Sequence, residues 1–169
     1  KSGLNIMMSM KSEGKPVSFV EDCAVNLENL AEYTDGLTKI FKKYNVHGTW
    51  YAHASVGCLH VRPVLNMKIN EDVKKMRMIA EEACALVKKF GGSFSGEHGD
   101  GIVRSEFIEK MFDKKVNNIF RQAKDLFDPN RIFNPEKIID APKMDDRNLF
   151  RYSPGYSALD IKTVMDWSS

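Results

Sequence analysis

Apolar positions recur along this chain in two periods, and the alternation between them lays out the elements. Residues 16–25 (Pro-Val-Ser-Phe-Val-Glu-Asp-Cys-Ala-Val) are rich in β-formers and predict a strand. Leu27, Leu30, Leu37, Ile40, Phe41 and Tyr44 then recur at helical spacing behind Asn26, a good N-cap. This predicts an amphipathic helix over 27–44, with Gly36 a weak point inside it and Asn45 at its exit. Gly48–His53 and Cys58–Leu65 read as two further strands, and 54–57 is short enough for a hairpin turn. Asn70 should cap the next helix, whose first turn carries Glu71 and Asp72 and whose stripe runs from Val73 through Met76, Ile79, Ala80, Ala83, Leu86 and Val87 to Phe90. Gly91 and Gly92 fit a left-handed C-cap.

Beyond that helix, 92–94 predicts a short strand, 103–112 and 114–127 predict helices, and Asp128-Pro129 breaks the second of them. A turn at Asn134-Pro135 followed by Ile138-Ile139 predicts a last short strand. From Asp140 the chain is charged and then aromatic, without a period, and reads as a strap packed on a surface. The order strand, helix, hairpin, helix, strand points to an α+β fold: a ferredoxin-like antiparallel sheet with helices packed on one face, plus C-terminal helices and an irregular tail. The expected organisation is the end of a preceding element at 1–15, a domain at 16–139 and an extension at 140–169. The abrupt opening at Lys1, with no initiator Met, suggests a piece of a longer protein.

Lys+Arg (25) nearly balance Asp+Glu (23), so the chain lacks the basic footprint of a nucleic-acid binder. No apolar run is long enough to span a membrane, and the apolar stretch at 4–10 is short and followed by no processing site, so no signal peptide is expected. Cys23, Cys58 and Cys84 are odd in number and lack C-x-x-C spacing, which argues against a disulfide framework and for a reducing, cytoplasmic setting.

Three of the four histidines fall in two loop-like clusters, His53-Ala-Ser-Val-Gly-Cys-Leu-His60 and Gly96-Glu97-His98-Gly99-Asp100-Gly101. Across a tight turn, His53 and His60 can bring two imidazoles to one divalent ion of the zinc, manganese or iron type, and Glu97 would complete a three-ligand set with open positions. Such an ion would hold a 2-hydroxy acid through its carboxylate and hydroxyl. The same histidines also fit plain polar residues with backbone partners. Glu97 and His98 are neighbours and should not point the same way in an extended segment. That would leave His98 free to face the substrate as a base, or simply exposed in a flexible turn. Arg62 shares the strand face of His60 and is a candidate carboxylate clamp. Arg104 is a weaker one, reading more readily as a helix-surface salt bridge. Cys58 reads as a small packing residue.

These two clusters, followed by Phe127-Asp128-Pro129 and Phe133-Asn134-Pro135-Glu136-Lys137-Ile138, resemble the C-terminal, substrate-side domain of FAD-linked oxidases of the vanillyl-alcohol-oxidase type. That group includes D-lactate dehydrogenases, glycolate oxidase D-subunits and D-2-hydroxyglutarate dehydrogenases. The resemblance implies a flavin domain N-terminal to this chain, a ferredoxin-like domain capping the flavin, and a cation, often zinc, on His53, His60 and Glu97. It implies His98 as the base, Asn134 and Lys137 on the cofactor side, and oxidation of a D-2-hydroxy acid to the 2-oxo acid.

The sequence departs from the family's usual pattern between the histidines, where Ala-Ser-Val-Gly-Cys-Leu stands for Ala-Gly-Asp-Gly-Asn-Leu. Arg62 stands where Asn is common, which favours a substrate with an extra carboxylate. The His-Val-Arg-Pro step and the tail from Met144 to Tyr152 resemble a subgroup that continues into an iron–sulfur region (4Fe-4S), which would pass electrons to an acceptor and could place the protein at the membrane periphery. A stand-alone metal-dependent hydrolase and a non-catalytic ferredoxin-like binding module are the competing readings.

Overall fold

The computed structural model describes residues 9–153, 155–157, 159 and 164–165. Among them lie β1 (Lys15–Pro16), β2 (Cys23–Ala24), α1 (Leu30–Lys43), β3 (Gly48–His53), β4 (Cys58–Leu65), α2 (Asn70–Lys89), α3 (Gly101–Arg104) and α4 (Ile108–Phe127).

β4 is the centre of an antiparallel sheet of four strands. β3 pairs along one side of it, Tyr51 opposite His60 and His53 opposite Cys58. β1 and β2 pair with opposite ends of its other side, Lys15 with Leu65 and Cys23 with Leu59. The expected strand over 16–25 is therefore interrupted. Its two ends follow registers that differ by two residues, so the chain beyond Val17, whose N–H still donates to Pro63 O at 2.8 Å, bulges out of the ladder before Cys23 rejoins it. Ser93 extends the sheet beyond β2 by a single bridge to Ala24, all that forms of the strand expected at 92–94. Counting β1–β2 as one interrupted strand, the order is Ser93 edge, β1–β2, β4, β3, which is the ferredoxin-like arrangement.

Alternation along β4 separates two faces. Leu59, Val61 and Leu65 enter the core with Leu37, Ile40 and Phe41 of α1 and Met76, Ile79, Ala83 and Val87 of α2. His60 and Arg62 point to the other face, together with Tyr51 and His53 across the ladder. α1 and α2 pack closely because Gly36 stands between them: a Cβ there would meet the Leu86 Cδ2 at 3.0 Å. The expected weak point is thus the close-approach point of two helices.

Both helix exits are Schellman motifs. Val46 N–H donates to Phe41 O (3.0 Å) and Asn45 N–H to Lys42 O (3.1 Å), with Asn45 at φ 52°. Gly92 N–H donates to Val87 O and Gly91 N–H to Lys88 O, both at 2.9 Å. The helix starts differ from expectation. A 3-10 turn over Leu27–Asn29 precedes α1, and neither Asn26 nor Asn29 caps through its side chain. Asn70 is the first helical residue of α2, with extended Ile69 before it.

The expected helix over 103–112 begins earlier, as α3, passes through a 3-10 step at Ser105–Phe107 and continues into α4. The expected break before 114 is present: Asp113 leaves helical geometry at φ 74°, and its Oδ1 accepts the N–H groups of Lys115 (2.7 Å) and Val116 (3.1 Å) as a fresh cap. No strand forms at 138–139. Backbone φ is positive at Asn134, Glu136, Ile138 and Asp140, which is incompatible with a ladder, and Ile138 N–H is taken by Ser105 Oγ at 2.8 Å. The tail packs on this chain's own surface. Met144 is buried, Met144 N–H donates to Glu106 Oε1 (2.9 Å), and Arg147 Nη1 donates to Met67 O (2.8 Å).

Candidate functional site

The helix-free face of the sheet, near the β3–β4 turn, gathers the chemistry. The turn 54–57 is a 3-10 step closed by Gly57 at φ 70°, where a Cβ would lie 1.9 Å from Val25 O, so only glycine fits. This turn places His53 and His60 on one face, ring centroids 4.9 Å apart and nearly perpendicular. His60 is 2% exposed, covered by Tyr51 stacked at 4.6 Å on one side and His98 at 5.2 Å on the other. His53, Glu97 and His98 are open to solvent.

Glu97 Oε1 lies 2.8 Å from His60 Nε2 and 3.8 Å from His53 Nε2. The short approach to His60 lacks hydrogen-bond geometry, and neither ring nitrogen of this buried imidazole has a hydrogen-bond partner among the described residues. A buried polar atom without a partner is costly. Here three donor atoms lie close together: His53, His60 and Glu97 each offer one ligand atom, all within 4.8 Å of one another. Burial, opposed by the Glu97 charge, holds the His60 pKa below its ordinary value, which keeps the imidazole in the neutral form that binds metals. The donor set therefore fits a divalent cation of the borderline type.

Glu97 and His98 do not diverge as an extended segment would require. The chain bends there, and His98 Nε2 comes 3.5 Å from Glu97 Oε1 while its Nδ1 lies 3.9 Å from Glu21 Oε2. Glu21, His60 and His98 form a second grouping of ligand-type atoms. A cation is disfavoured there, because Arg62 already sits on the carboxylate: Nε is 2.7 Å from Glu21 Oε1, and Nη2 contacts the same oxygen. Tyr51 Oη adds a hydrogen bond at 3.2 Å. Burial works against the charge of Glu21, but hydrogen bonds from Arg62 and Ser18 outweigh it and hold the carboxyl below the usual range.

Arg104 is buried, not on a helix surface. Its Nη1 pairs with Asp22 Oδ1 and reaches Phe94 O at 3.3 Å, and its Nη2 donates to Gly99 O at 2.6 Å. Asp22, wholly buried, accepts the backbone N–H groups of Glu97 (2.8 Å) and His98 (2.7 Å) at Oδ2, and its own carbonyl accepts that of Gly96 (2.9 Å). Burial opposes its charge too, yet the His98 N–H, Arg104 and the Glu97 N–H lower its pKa. Cys58 is buried at the start of β4, and burial raises its thiol pKa, as suits a packing residue.

Asn134 and Lys137 stand apart from this cluster, in the positive-φ loop after α4. There they line a shallow, mostly apolar hollow with Phe120, Ala123 and Ile139, and Lys137 Nζ donates to Pro135 O at 3.3 Å. Sequence reasoning missed Glu21, Asp22 and Tyr51. The signal for the first two was present: two adjacent acids inside an apolar, β-forming run have to find partners or leave the ladder.

Imidazole and carboxylate donors gathered on the helix-free face of an antiparallel sheet make this α+β domain a candidate ligand-binding domain. The chain belongs to the FAD linked oxidases, C-terminal domain family, whose model matches residues 1–138. It is 39% identical over 138 residues to a D-2-hydroxyglutarate dehydrogenase of Haemophilus influenzae, covering 82% of this chain and 13% of that protein. A D-2-hydroxyglutarate dehydrogenase of Escherichia coli is 33% identical over 149 residues, covering 85% of this chain and 14% of the relative. A D-lactate dehydrogenase of Archaeoglobus fulgidus is 31% identical over 125 residues, 74% of this chain and 27% of the relative. The chain thus spans only a small part of the length of the curated relatives it matches. Among the described residues, no helix is long and apolar enough to cross a membrane.

Proposed function

We propose that this chain is the substrate-side domain of an FAD-dependent dehydrogenase that oxidises a D-2-hydroxy acid to the 2-oxo acid. His53, His60 and Glu97 hold a divalent cation, zinc by ligand type. The observation that carries the reading is the buried, hydrogen-bond-free His60, whose ligand atom lies close to those of His53 and Glu97. Bound there, a cation supplies Lewis acidity to the substrate's hydroxyl and carboxylate. FAD, held by sequence outside this chain, supplies the hydride acceptor.

The chain's own residues do the rest. His98 takes the hydroxyl proton at Nε2, its Nδ1 turned toward Glu21. Tyr51 shields the His60 ring from water by stacking on it. Arg62, with Glu21 as counter-ion, faces the side where a second substrate carboxylate would lie. Arg104 acts on the loop and not on substrate, since its donors are taken by Asp22, Phe94 O and Gly99 O. Asn134 and Lys137 belong to a surface directed at the flavin side. The relatives' activities, as D-2-hydroxyglutarate and D-lactate dehydrogenases, favour hydroxyglutarate or lactate as the substrate type. The flavin would pass its electrons to an acceptor outside this chain, which the resemblance of the tail from Met144 to Tyr152 would make an iron–sulfur centre. Membership of a flavin-linked oxidase family weighs against the stand-alone hydrolase and the non-catalytic module.

The test is anaerobic mixing of the full-length flavoprotein with D- and L-isomers of lactate, malate and 2-hydroxyglutarate while flavin absorbance is followed. Bleaching by a D-acid, abolished by chelation and slowed in His98→Ala, is expected. No bleaching by any acid, with flavin and cation bound, overturns the assignment.

A further inference from the structure

We propose that Asp22, locked to Arg104, is the positioning residue that sets the cation affinity of the His53–His60–Glu97 cluster. The inference rests on the cation reading above and concerns a residue that touches neither cation nor substrate.

Asp22 lies in the two-residue bulge of the interrupted strand, with no exposed surface. Consecutive N–H groups of Gly96, Glu97 and His98 converge on it, the first on its carbonyl and the other two on Oδ2. Ser95 Oγ adds a longer hydrogen bond to Oδ2 at 3.4 Å. Successive N–H groups converging on one anion form a nest, and a nest fixes backbone torsions over the residues that contribute to it. Here those residues are the ones that carry the Glu97 carboxylate and the His98 ring. Arg104 completes the clamp from the other side, gripping Asp22 and the carbonyls of Phe94 and Gly99 on either flank of the loop.

A buried ion pair is poor value as a stabiliser, because desolvation consumes most of its attraction and a hydrophobic pair of similar volume often serves as well. The arrangement does account for a loop with glycines at 96, 99 and 101 holding a carboxylate 2.8 Å from His60 Nε2. Without the clamp, those glycines would let Glu97 sample positions away from His53 and His60. Supporting groups behind metal ligands typically change affinity by about 10–100-fold when lost.

The experiment is Zn²⁺ titration of the full-length flavoprotein against a chromophoric chelator, with flavin content and thermal unfolding recorded for each variant. Asp22→Asn is expected to weaken Zn²⁺ binding by about 10–100-fold while the flavin stays bound. Arg104→Lys keeps the charge but loses the fork, and is expected to show a smaller loss. Arg77→Met breaks another partly buried ion-pair network, the one with Glu106 and Asp145, and is expected to lower thermal stability while leaving Zn²⁺ affinity at the parent's value.

If Asp22→Asn binds Zn²⁺ as the parent does, or if Arg77→Met loses as much affinity, the positioning role is overturned and the cation site stands. If Asp22→Asn does not accumulate as folded protein, Arg104→Lys decides: weakened binding supports the role and parental binding overturns it. A parent that binds no Zn²⁺ overturns the cation site itself, and this inference with it.

Discussion

Arg62 turns its guanidinium onto Glu21, with Nε 2.7 Å from Oε1, and the carboxylate it meets is almost fully buried. An arginine on the face it shares with His60 thus arrives already paired. Removing it leaves a buried carboxylate without its counter-ion, the costly way to break such a pair. Arg62→Met is expected to destabilise the intact protein by about 3 kcal/mol. Arg62→Met with Glu21→Gln should recover most of that loss. A double-mutant cycle by thermal unfolding checks it, and additive losses would show the two side chains to be uncoupled.

The three residues proposed to hold the cation differ in burial, and so should their variants. His60→Ala removes the buried donor and opens a gap beneath Tyr51, so it is expected to abolish retained metal and to lower stability as well. His53→Ala acts at an exposed position and is expected to lower metal content with little change in unfolding temperature. Elemental analysis after dialysis, beside thermal unfolding, separates the two.

His98 offers no atom to the His53–His60–Glu97 group, though it lies beside it. His98→Gln is expected to reduce kcat by about 10²–10⁴-fold, the usual span of a lost general base. Metal content should match the parent's. Loss of metal in this variant would reassign His98 as a ligand.

Gly57 closes the β3–β4 turn at φ 70° with Val25 O in the way of any side chain. Gly57→Ala is expected to cost about 1–3 kcal/mol from the backbone conformation alone, before the clash is counted. Because the turn sets the facing of His53 and His60, metal affinity should fall together with stability. Full stability in Gly57→Ala would mean that the turn readily takes another form.

Acid should loosen the anchor of the tail at Asp145. Arg77 holds the Asp145 carboxyl below the usual range, so the folded value lies beneath the unfolded one. A carboxyl shifted this way contributes stability above its unfolded pKa of about 3.9 and loses it as pH falls through the folded value. Asp145→Asn is expected to flatten that part of the acid limb, read by unfolding temperature between about pH 5 and pH 2. An unchanged slope would place the acid sensitivity elsewhere.

The sequence was most legible where local rules and tertiary demand agree. The stripe from Val73 to Phe90 and the Gly91–Gly92 exit specify α2 without help from elsewhere. So did the hairpin and the convergence of His53 with His60, since alternation and a short turn leave few arrangements. The strand over 16–25 was legible only in part. β-propensity is silent on whether Glu21 and Asp22 would stay in the ladder, and their partners Arg62 and Arg104 are 41 and 82 residues away. The same distance hid the role of Arg104, which reads as a surface charge until Asp22 is placed beside it. At 138–139 two isoleucines suggested a strand, but the positive-φ backbone around them follows from packing on Ser105 and not from their own preference.

The two-residue offset between β1 and β2 has a consequence for the loop it supports. Shortening the segment between them by two residues would bring β1 and β2 into one register on β4 and leave both histidines in the hairpin, but it would disturb Phe19 and Val20, which lie in the core. What would vanish is the anchor beneath the glycine loop. Such a chain would keep His53 and His60 and lose the acceptors that now hold the N–H groups of Gly96, Glu97 and His98.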